Sequence, residues 1–387
     1  MSKDKNGEWH IETALPVSFF LKNSPKIFDL NNKDLLSVGT QGPGSRRLVV
    51  IDSAVSKLYL KEIVNYLDHH EIHHHIVIID SIESKKDMET LTYLLKEIET
   101  FGLSRKSEPL IAVGGGVLLD IVGLAASLYR RGVPYIKVPT TLLGIVDASV
   151  GAKTAINFED RRNRLGTYYP PVAAYLDKNF MKTLEPIEIS SGLGEIVKMA
   201  IIKDADLYKI LEDHGAELYH SKFLECEYAD EVINRAVEGM KVELQDNLWE
   251  KDLERCVDFG HSFSPIPEMR SLFDDKVKTL THGQAVTLDV IFSSIISYMR
   301  GMLKKADIES IFKTTQSLNL PTGHDYFYDP NILMEALNDT VKHRNGDQNL
   351  PVPQSIGNYV FINDLSYDDI KKASCLMLDF NNEVANS

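Results

Sequence analysis

The segment L-I-A-V-G-G-G-V-L-L-D, residues 110–120, decides the fold of the first half of this 387-residue chain. Four apolar residues run into Gly114, Gly115 and Gly116, and the residues that follow have the pattern of a helix. A strand that turns through glycines into a helix presents backbone N–H groups that bind phosphate oxygens. The common dinucleotide spacing G-x-G-x-x-G is absent, so the segment alone is compatible with a nucleotide loop or with a tight turn.

Apolar runs on both sides of this segment extend the pattern. Strands are predicted at 48–51, 76–79, 110–113, 135–138 and 172–175, with helices at 57–67 and 87–100. Strands that are apolar throughout and alternate with helices predict a parallel sheet covered on both faces. After Pro186, helices are predicted at 190–211, 228–244, 283–302, 308–317 and 332–342. The sequence therefore predicts an α/β nucleotide-binding domain over 1–185 and an all-helical domain over 186–387, with the active site in the cleft between them.

Composition narrows the class of protein. The formal net charge of −14 disfavours a general binder of nucleic acid or of anionic membranes. No apolar run approaches the roughly 20 residues that a membrane-spanning helix needs. The three cysteines are far apart and form no C-x-x-C pair, which predicts reduced thiols and a cytoplasmic location.

Three residues of the second half form the usual ligand set of a catalytic metal. They are Glu195 in S-G-L-G-E-I-V-K, His261 in D-F-G-H-S-F-S-P and His282 in L-T-H-G-Q-A-V. One carboxylate and two imidazoles leave a coordination position open. Each histidine taken alone is equally compatible with a structural role. The five histidines between residues 69 and 75 lack carboxylate or cysteine partners at ligand spacing, so we do not expect a metal there.

Polar and cationic residues lie close to both motifs. Asp120 falls one turn into the helix after the glycines, and Thr140-Thr141 follows the next strand, where amides and hydroxyls suit phosphate oxygens. Lys198 shares a helix face with Glu195 through its i, i+3 spacing. Further candidates for the cleft are Lys153, Arg162, Asn163, Arg164, Lys241 and His343. Lysine and arginine usually form a solvated surface, so residue type alone does not separate that role from phosphate binding.

The chain resembles the dehydroquinate synthase superfamily from about Glu83 to Gly357. The run that carries this resemblance, residues 114–158, is G-G-G-V-L-L-D-I-V-G-L-A-A-S-L-Y-R-R-G-V-P-Y-I-K-V-P-T-T-L-L-G-I-V-D-A-S-V-G-A-K-T-A-I-N-F. Within the superfamily the chain is most similar to the sedoheptulose 7-phosphate cyclases, which make seven-carbon cyclitols. Arg130-Arg131, residues 162–166 and D-F-G-H-S-F-S-P carry this closer similarity.

The resemblance implies a role for each candidate and a homodimeric enzyme. It implies that Glu195, His261 and His282 bind zinc or cobalt. It implies NAD on the following residues: Asp52, Glu83, Lys86, Gly114, Gly115, Gly116, Asp120, Thr140, Thr141, Lys153 and Arg162. It places these residues around the sugar phosphate: Asp147, Lys153, Asn163, Lys198 and Lys241, with Arg131 on the phosphate. We expect Asn163 and Arg164 to help Arg131 hold the phosphate.

Departures from the dehydroquinate synthases narrow the expected substrate. Those enzymes carry a second histidine four residues after the first metal histidine, where this chain has Pro265. Asp258 and His343 resemble the valiolone-type cyclases, whereas the gadusol-precursor synthases tend to lack both. The meaning of Gln284 stays open. We therefore expect sedoheptulose 7-phosphate to become 2-epi-5-epi-valiolone and phosphate through transient oxidation by NAD, β-elimination, re-reduction and intramolecular aldol closure.

Several alternatives stay open at this point. Within the family the product is alternatively 2-epi-valiolone or demethyl-4-deoxygadusol, or the enzyme is a 3-dehydroquinate synthase. A metal-dependent polyol dehydrogenase shares the two-domain plan but uses an Asp-His-His ligand pattern. A sensor that binds metal and nucleotide without turnover is a third class.

Overall fold

A computed structural model describes residues 9–159 and 161–385. Its main sheet is parallel and has the strand order β1-β8-β5-β4-β2-β3. The strands are β1 (Phe20–Asn23), β2 (Arg46–Asp52), β3 (His73–Ile79), β4 (Leu110–Gly114), β5 (Tyr135–Pro139) and β8 (Ala173–Leu176). The predicted parallel sheet is confirmed, and β1 adds an edge strand that its short, half-polar sequence did not reveal.

Helices α1 (Ser53–His69), α2 (Met88–Phe101) and α3 (Gly116–Leu128) cover the sheet. Asp52 begins α1 because its carboxylate accepts hydrogen bonds from Ala54 N at 2.8 Å and Val55 N at 3.1 Å. The chain runs from β2 to β3 in one direction across the sheet and from β4 to β5 in the other. The two directions diverge between β2 and β4. The crevice at the carboxyl ends of these two strands is the usual ligand site of such sheets.

An antiparallel hairpin outside the main sheet was not predicted. It consists of β6 (Lys153–Phe158) and β7 (Arg161–Tyr168), with an irregularity between Ile156 and Phe158. The hairpin packs on α3 at Gly123, where a Cβ atom would collide with the side chain of Thr154. Its polar residues hid it from a search for apolar strands.

The second half is mainly helical, and α4 begins at Pro186, where we predict the second domain to begin. Its helices are α4 (Pro186–Lys203), α5 (Ala205–His220), α6 (Ala229–Gln245), α7 (Pro265–Ser271), α8 (His282–Met299), α9 (Lys305–Ser317), α10 (Asp325–Tyr328), α11 (Pro330–His343) and α12 (Tyr367–Ala385). The prediction of an all-helical domain was wrong in one respect, because β9 (Leu350–Ser355) and β10 (Asn358–Ile362) form an antiparallel hairpin.

The predicted helix over 190–211 is two helices. The backbone of Asp204 is extended, with φ −137°, and its side chain accepts a hydrogen bond from Leu207 N at 3.0 Å, which starts α5. Helices α4 and α8 form the centre of this half. They approach closely at Gly283, where a Cβ atom would overlap the backbone of Ser191. Among the described residues, no helix is long and apolar enough to cross a membrane.

Candidate active site

Both halves of the chain line one large cavity. Its walls come from the carboxyl ends of the sheet strands, the β6–β7 hairpin, and helices α4, α7 and α11. The cavity has a volume of about 1880 Å³. Pockets for one drug-sized ligand measure roughly 300–1,000 Å³, so this cavity has room for a dinucleotide and a second small molecule.

Glu195 projects from α4 between two imidazole rings. Its Oε1 lies 3.3 Å from His282 Nε2 and 3.5 Å from His261 Nε2. The three potential ligand atoms lie within 4.8 Å of one another, and Glu195 Oε1 is buried without a hydrogen-bond partner. A buried, unsatisfied carboxylate oxygen facing two imidazole nitrogens fits a divalent cation. In residues 9–159 and 161–385 no second group of this kind occurs, so the histidines between 69 and 75 do not form one.

Neighbouring acceptors orient both rings toward this point. His282 Nδ1 lies 3.1 Å from Glu268 Oε2, and His261 Nδ1 lies 3.3 Å from the carbonyl oxygen of Phe259. Arg162 Nη1 also lies 3.0 Å from His282 Nδ1. With a cation bound and a proton on each Nδ1, both rings would direct an Nε2 lone pair at the cation beside Glu195. Glu268 was not among the predicted site residues, because a glutamate in the polar run P-E-M-R has no distinguishing signal.

Burial and charge set the protonation of the three residues. Burial would raise the pKa of Glu195, but Lys198, whose Nζ lies 2.5 Å from Oε2, and the two histidines hold that pKa well below its usual value. Burial lowers the pKa of His261 to about 3 against the opposing effect of Glu195. Burial would also lower the pKa of His282, but Glu268 raises it to about 9. The carboxylate is thus ionised, His261 is neutral, and His282 holds a proton that a bound cation would displace.

The glycine segment forms the opposite wall of the cavity. Gly115 and Gly116 line it at the start of α3, and a Cβ at Gly115 would make a tight contact of 3.1 Å with Thr141 Cγ2. The hydroxyl of Thr140 is buried without a partner beside them. Unpaired N–H groups at a helix start and a free hydroxyl fit a pyrophosphate. Gly114 lies behind this surface, inside β4.

Several residues that we predict to bind NAD or the substrate lie together in one polar network. Lys86 Nζ donates to Asp120 Oδ2 and to Asn163 Oδ1, both at 2.6 Å. Glu83 Oε1 accepts from Arg162 Nε at 3.2 Å. Asp52, at the end of β2, also lines the cavity, where its carboxylate accepts hydrogen bonds from Ser81.

A second network surrounds Lys153 and Asp258. Lys153 Nζ lies 2.9 Å from Glu250 Oε1, and Glu250 also pairs with Arg255. Asp258 contacts Arg255 at 2.7 Å and Arg344 at 3.1 Å. Asp258 lines the cavity. Glu250, Arg255 and Arg344 were missed, because they stand in charged stretches that are typical of a solvated surface.

The outer rim joins the hairpin to the end of α11. Arg164 Nη1 lies 2.8 Å from His343 Nε2, and both approach Asp339 Oδ2 at 3.4 Å. Asp147, from the π-helical turn Gly144–Ala148, lines the inner part of the cavity, where burial and Glu195 raise its pKa.

Two predicted substrate residues lie away from the cavity in this chain. Lys241 is on the exposed face of α6, where its Nζ pairs with Glu238 at 2.8 Å, and Met240 lines the cavity instead. Arg131 is exposed beyond the far end of α3, roughly 20 Å from the glycine loop by the rise of that helix. The described part of the cavity wall includes neither residue.

Comparisons with known proteins cover nearly the whole chain. Residues 76–191 match the family 3-dehydroquinate synthase N-terminal, and residues 192–343 match 3-dehydroquinate synthase C-terminal. A 2-epi-5-epi-valiolone synthase of Streptomyces albus is 44% identical over 380 residues, which is 97% of this chain and 91% of that protein.

Two solved structures extend these similarities. One is the 2-epi-5-epi-valiolone synthase ValA of Streptomyces hygroscopicus subsp. jinggangensis 5008 with NAD+ and Zn2+ bound. It has a TM-score of 0.90 and 42% identity, over 96% of this chain and 99% of that chain. A 2-deoxy-scyllo-inosose synthase with carbaglucose-6-phosphate, NAD+ and Co2+ shares the fold, with a TM-score of 0.75 and 21% identity over 92% and 95% of the two chains.

Proposed function

The chain belongs to the 3-dehydroquinate synthase family, and on that premise we propose that it converts sedoheptulose 7-phosphate into 2-epi-5-epi-valiolone with release of phosphate. NAD and a divalent ion, zinc or cobalt, are its cofactors. The observation that carries the proposal is that the triangle of Glu195, His261 and His282 opens into the same cavity as the glycine loop. The chain's similarity to 2-epi-5-epi-valiolone synthases over nearly its full length supports the product.

The residues that we assign to the metal ion and those that we assign to NAD lie in different parts of the cavity. When bound, NAD takes a hydride from a secondary alcohol and later returns it, while the divalent ion acidifies that alcohol. We assign the ion to Glu195, His261 and His282. We assign NAD to Asp52, Glu83, Lys86, Gly115, Gly116, Asp120, Thr140, Thr141 and Arg162, with Gly114 shaping the loop from behind.

Charged groups beside the metal ligands handle the substrate hydroxyls. Lys198 is almost fully buried against Glu195, so its ammonium group is held in place to stabilise a developing oxyanion. Lys153 reaches into the cavity from β6 and orients hydroxyl groups, with Asp147 facing it from the inner wall.

The rim residues suit the substrate phosphate. Asn163, Arg164 and His343 offer amide, guanidinium and imidazole donors at the cavity mouth. The hydride that NAD takes from the substrate is returned in the same cycle, so the net reaction involves no change of redox state. Phosphate is lost in between as the leaving group. We therefore class the enzyme as a carbon–oxygen lyase.

The charges around Asp258 favour a neutral polyol over a keto acid. Lys153 and Arg255 already have carboxylate partners in Glu250 and Asp258, and Arg344 contacts Asp258 as well. A substrate carboxylate at this wall would compete with two fixed acids, which disfavours the substrate of a 3-dehydroquinate synthase.

The test is incubation of the purified protein with sedoheptulose 7-phosphate, zinc and NAD. We expect one phosphate per cyclitol, no steady accumulation of NADH, and an NMR spectrum of 2-epi-5-epi-valiolone. Steady NADH formation would indicate a polyol dehydrogenase, and turnover of a heptulosonate phosphate would indicate a 3-dehydroquinate synthase. Tight NAD binding without turnover on any sugar phosphate would indicate a sensor.

We also propose that the enzyme is a cytoplasmic homodimer. The three cysteines are free thiols, with Cys226 and Cys256 buried and Cys375 exposed, which suits a reducing compartment. Sedimentation equilibrium of the purified protein tests the dimer directly.

A further inference from the structure

We propose that Glu268 is a positioning residue that couples metal binding to cofactor binding across the cavity. This inference rests on the metal and NAD sites proposed above. Glu268 lies on the short helix α7 and is only 4% exposed. Its Oε2 is 3.1 Å from His282 Nδ1 and 2.5 Å from Arg162 Nη1. One carboxylate oxygen therefore contacts both a metal ligand and an arginine assigned to NAD. Arg162 Nη1 itself lies 3.0 Å from His282 Nδ1, so the anionic Glu268 lies beside two groups that it can hold together.

The connection continues from Arg162 to the polar network around Lys86. Arg162 lies on β7, in the first half of the chain, and its Nε donates to Glu83 Oε1 at 3.2 Å. Asn157 Nδ2 donates to the same oxygen at 2.8 Å, and Asn157 Oδ1 accepts from the backbone N of Asn163 at 2.9 Å. Asn163 in turn accepts from Lys86. A continuous path of hydrogen bonds thus runs between the halves, from the metal triangle to the residues assigned to NAD.

The guanidinium group of Arg162 makes this path stiff. It is planar and presents its donors in a fixed fork, so its Nε and Nη1 contacts cannot move independently. The same guanidinium contacts both Glu83 and Glu268, which are 19% and 6% exposed at their side chains. A ligand that fixes Glu83 therefore also fixes Arg162 and Glu268.

Glu268 acts on the metal through His282. Accepting the Nδ1 proton fixes the tautomer and orientation of the ring and raises its basicity as a ligand. If bound NAD orders the side chains of this path, the metal binds without the entropic cost of ordering them. Linkage then requires NAD and the metal to raise each other's affinity by the same factor.

The wild-type protein provides the first test. The dissociation constant of Zn2+ is measured by competition with a chelator, with and without saturating NAD+, and that of NAD+ is measured by calorimetry with and without Zn2+. We expect both to fall by the same factor of about 5 or more. Equal affinities in the presence and absence of the other ligand would overturn the coupling. A wild-type protein that binds neither ligand would instead refute the proposed function.

Variants test the path itself. Glu268→Gln keeps the shape but removes the charge, so we expect Zn2+ affinity to fall about 10- to 100-fold and the linkage factor to approach one. Arg162→Lys keeps the charge but loses the fork, so the linkage should fall while more of the Zn2+ affinity remains. The matched control is Glu231→Gln, which removes an exposed ion pair to Arg235 on α6 and should change neither quantity.

Two further measurements separate positioning from loss of fold. Circular dichroism reports whether Glu268→Gln is folded, and the d–d absorption of the Co2+-loaded protein should differ between this variant and wild type. A folded Glu268→Gln protein with wild-type Zn2+ affinity and linkage would overturn the proposal. If the variant does not fold, Arg162→Lys decides, because a folded Arg162→Lys protein with the wild-type linkage factor would overturn the path.

Discussion

The deep end of the cavity and its outer rim hold their charges in different ways. At the deep end, Glu195 is 1% exposed and Glu268 is 4% exposed, and each has a cationic partner at 2.5 Å. At the rim, Asp339 is 29% exposed and His343 is 54% exposed, and their contact is 3.4 Å. Breaking a buried pair costs several kcal/mol, whereas solvated pairs contribute about 0–1 kcal/mol. The charges of the deep end are therefore costly to separate, while the rim can exchange its own ion pairs for a substrate phosphate.

The largest effect should come from the deep end. Glu195→Gln removes the anionic ligand and leaves the ammonium of Lys198 buried beside a neutral amide. We expect loss of bound zinc and at least about a 10³-fold fall in kcat, because metal stabilisation of the reacting oxygen amounts to several kcal/mol. Elemental analysis and phosphate release measure the two losses.

The control for this substitution lies on the surface. Glu238→Gln breaks the exposed pair with Lys241 at 2.8 Å and should keep full zinc content and turnover. A Glu195→Gln protein that retains stoichiometric zinc would contradict the assignment of Glu195 as a metal ligand.

A buried carboxyl group close to His261 should make the stability of the folded protein depend on pH. Asp289 accepts hydrogen bonds from Phe263 N at 2.6 Å and Ser264 N at 2.9 Å, next to His261, and burial raises its pKa to about 6. The native state then holds this proton more tightly than the unfolded chain between pH 3.8 and about 6, so this residue lowers stability as pH rises through that window.

Asp289→Asn removes this titration. Relative to wild type, we expect the free energy of unfolding of the variant to rise by roughly 2 kcal/mol between pH 4 and pH 7. Urea unfolding at both pH values, on metal-free protein, measures the difference. A constant difference between variant and wild type would show that Asp289 keeps one protonation state throughout.

Smaller effects should follow from changes at the rim. Arg164→Lys and His343→Asn each weaken a charge-assisted contact to phosphate, so we expect KM for sedoheptulose 7-phosphate to rise about 10-fold. Zinc content and kcat should change little, because neither side chain contacts the metal triangle. Steady-state kinetics with parallel elemental analysis would detect the opposite outcome, a fall in kcat with loss of zinc.

The smallest effect should come from Lys241. Its ammonium group is on the outer face of α6, so Lys241→Ala should change the free energy of unfolding by less than about 0.5 kcal/mol and leave KM unchanged. A large rise in KM would place Lys241 at the substrate after all and contradict the cavity described above.

Local patterns predicted much of the fold. Strands β2 to β5 were recognisable because each contains a run of four residues that is apolar or, in β5, interrupted only by Lys137. Pro186 marks the start of α4 within a clear helical pattern. The β6–β7 hairpin was not recognisable, because its outward face is polar and the positive φ angles at Glu159 after β6 and at Asn163 within β7 are adopted without glycine. The break at Asp204 was missed because neither glycine nor proline accompanies it.

The site was predictable where chemistry restricts the residue type. A carboxylate and two histidines stand out in any sequence, and the structure brings Glu195, His261 and His282 together. Glu268 and Arg162 contact each other across 106 positions of sequence, and only the packing of α7 on the hairpin brings them together. Lys241 and Glu250 both stand in charged stretches of the sequence. Lys241 is exposed in the structure, whereas the side chain of Glu250 is only 9% exposed beside Lys153.

The most direct test is anomalous diffraction at the zinc edge from crystals of the protein grown with NAD+ and Zn2+. We predict one strong peak between Glu195 Oε1, His261 Nε2 and His282 Nε2, with the nicotinamide beside it and the pyrophosphate at Gly115 and Gly116. A zinc peak at the histidines between residues 69 and 75, or a dinucleotide bound away from the glycine loop, would contradict the account.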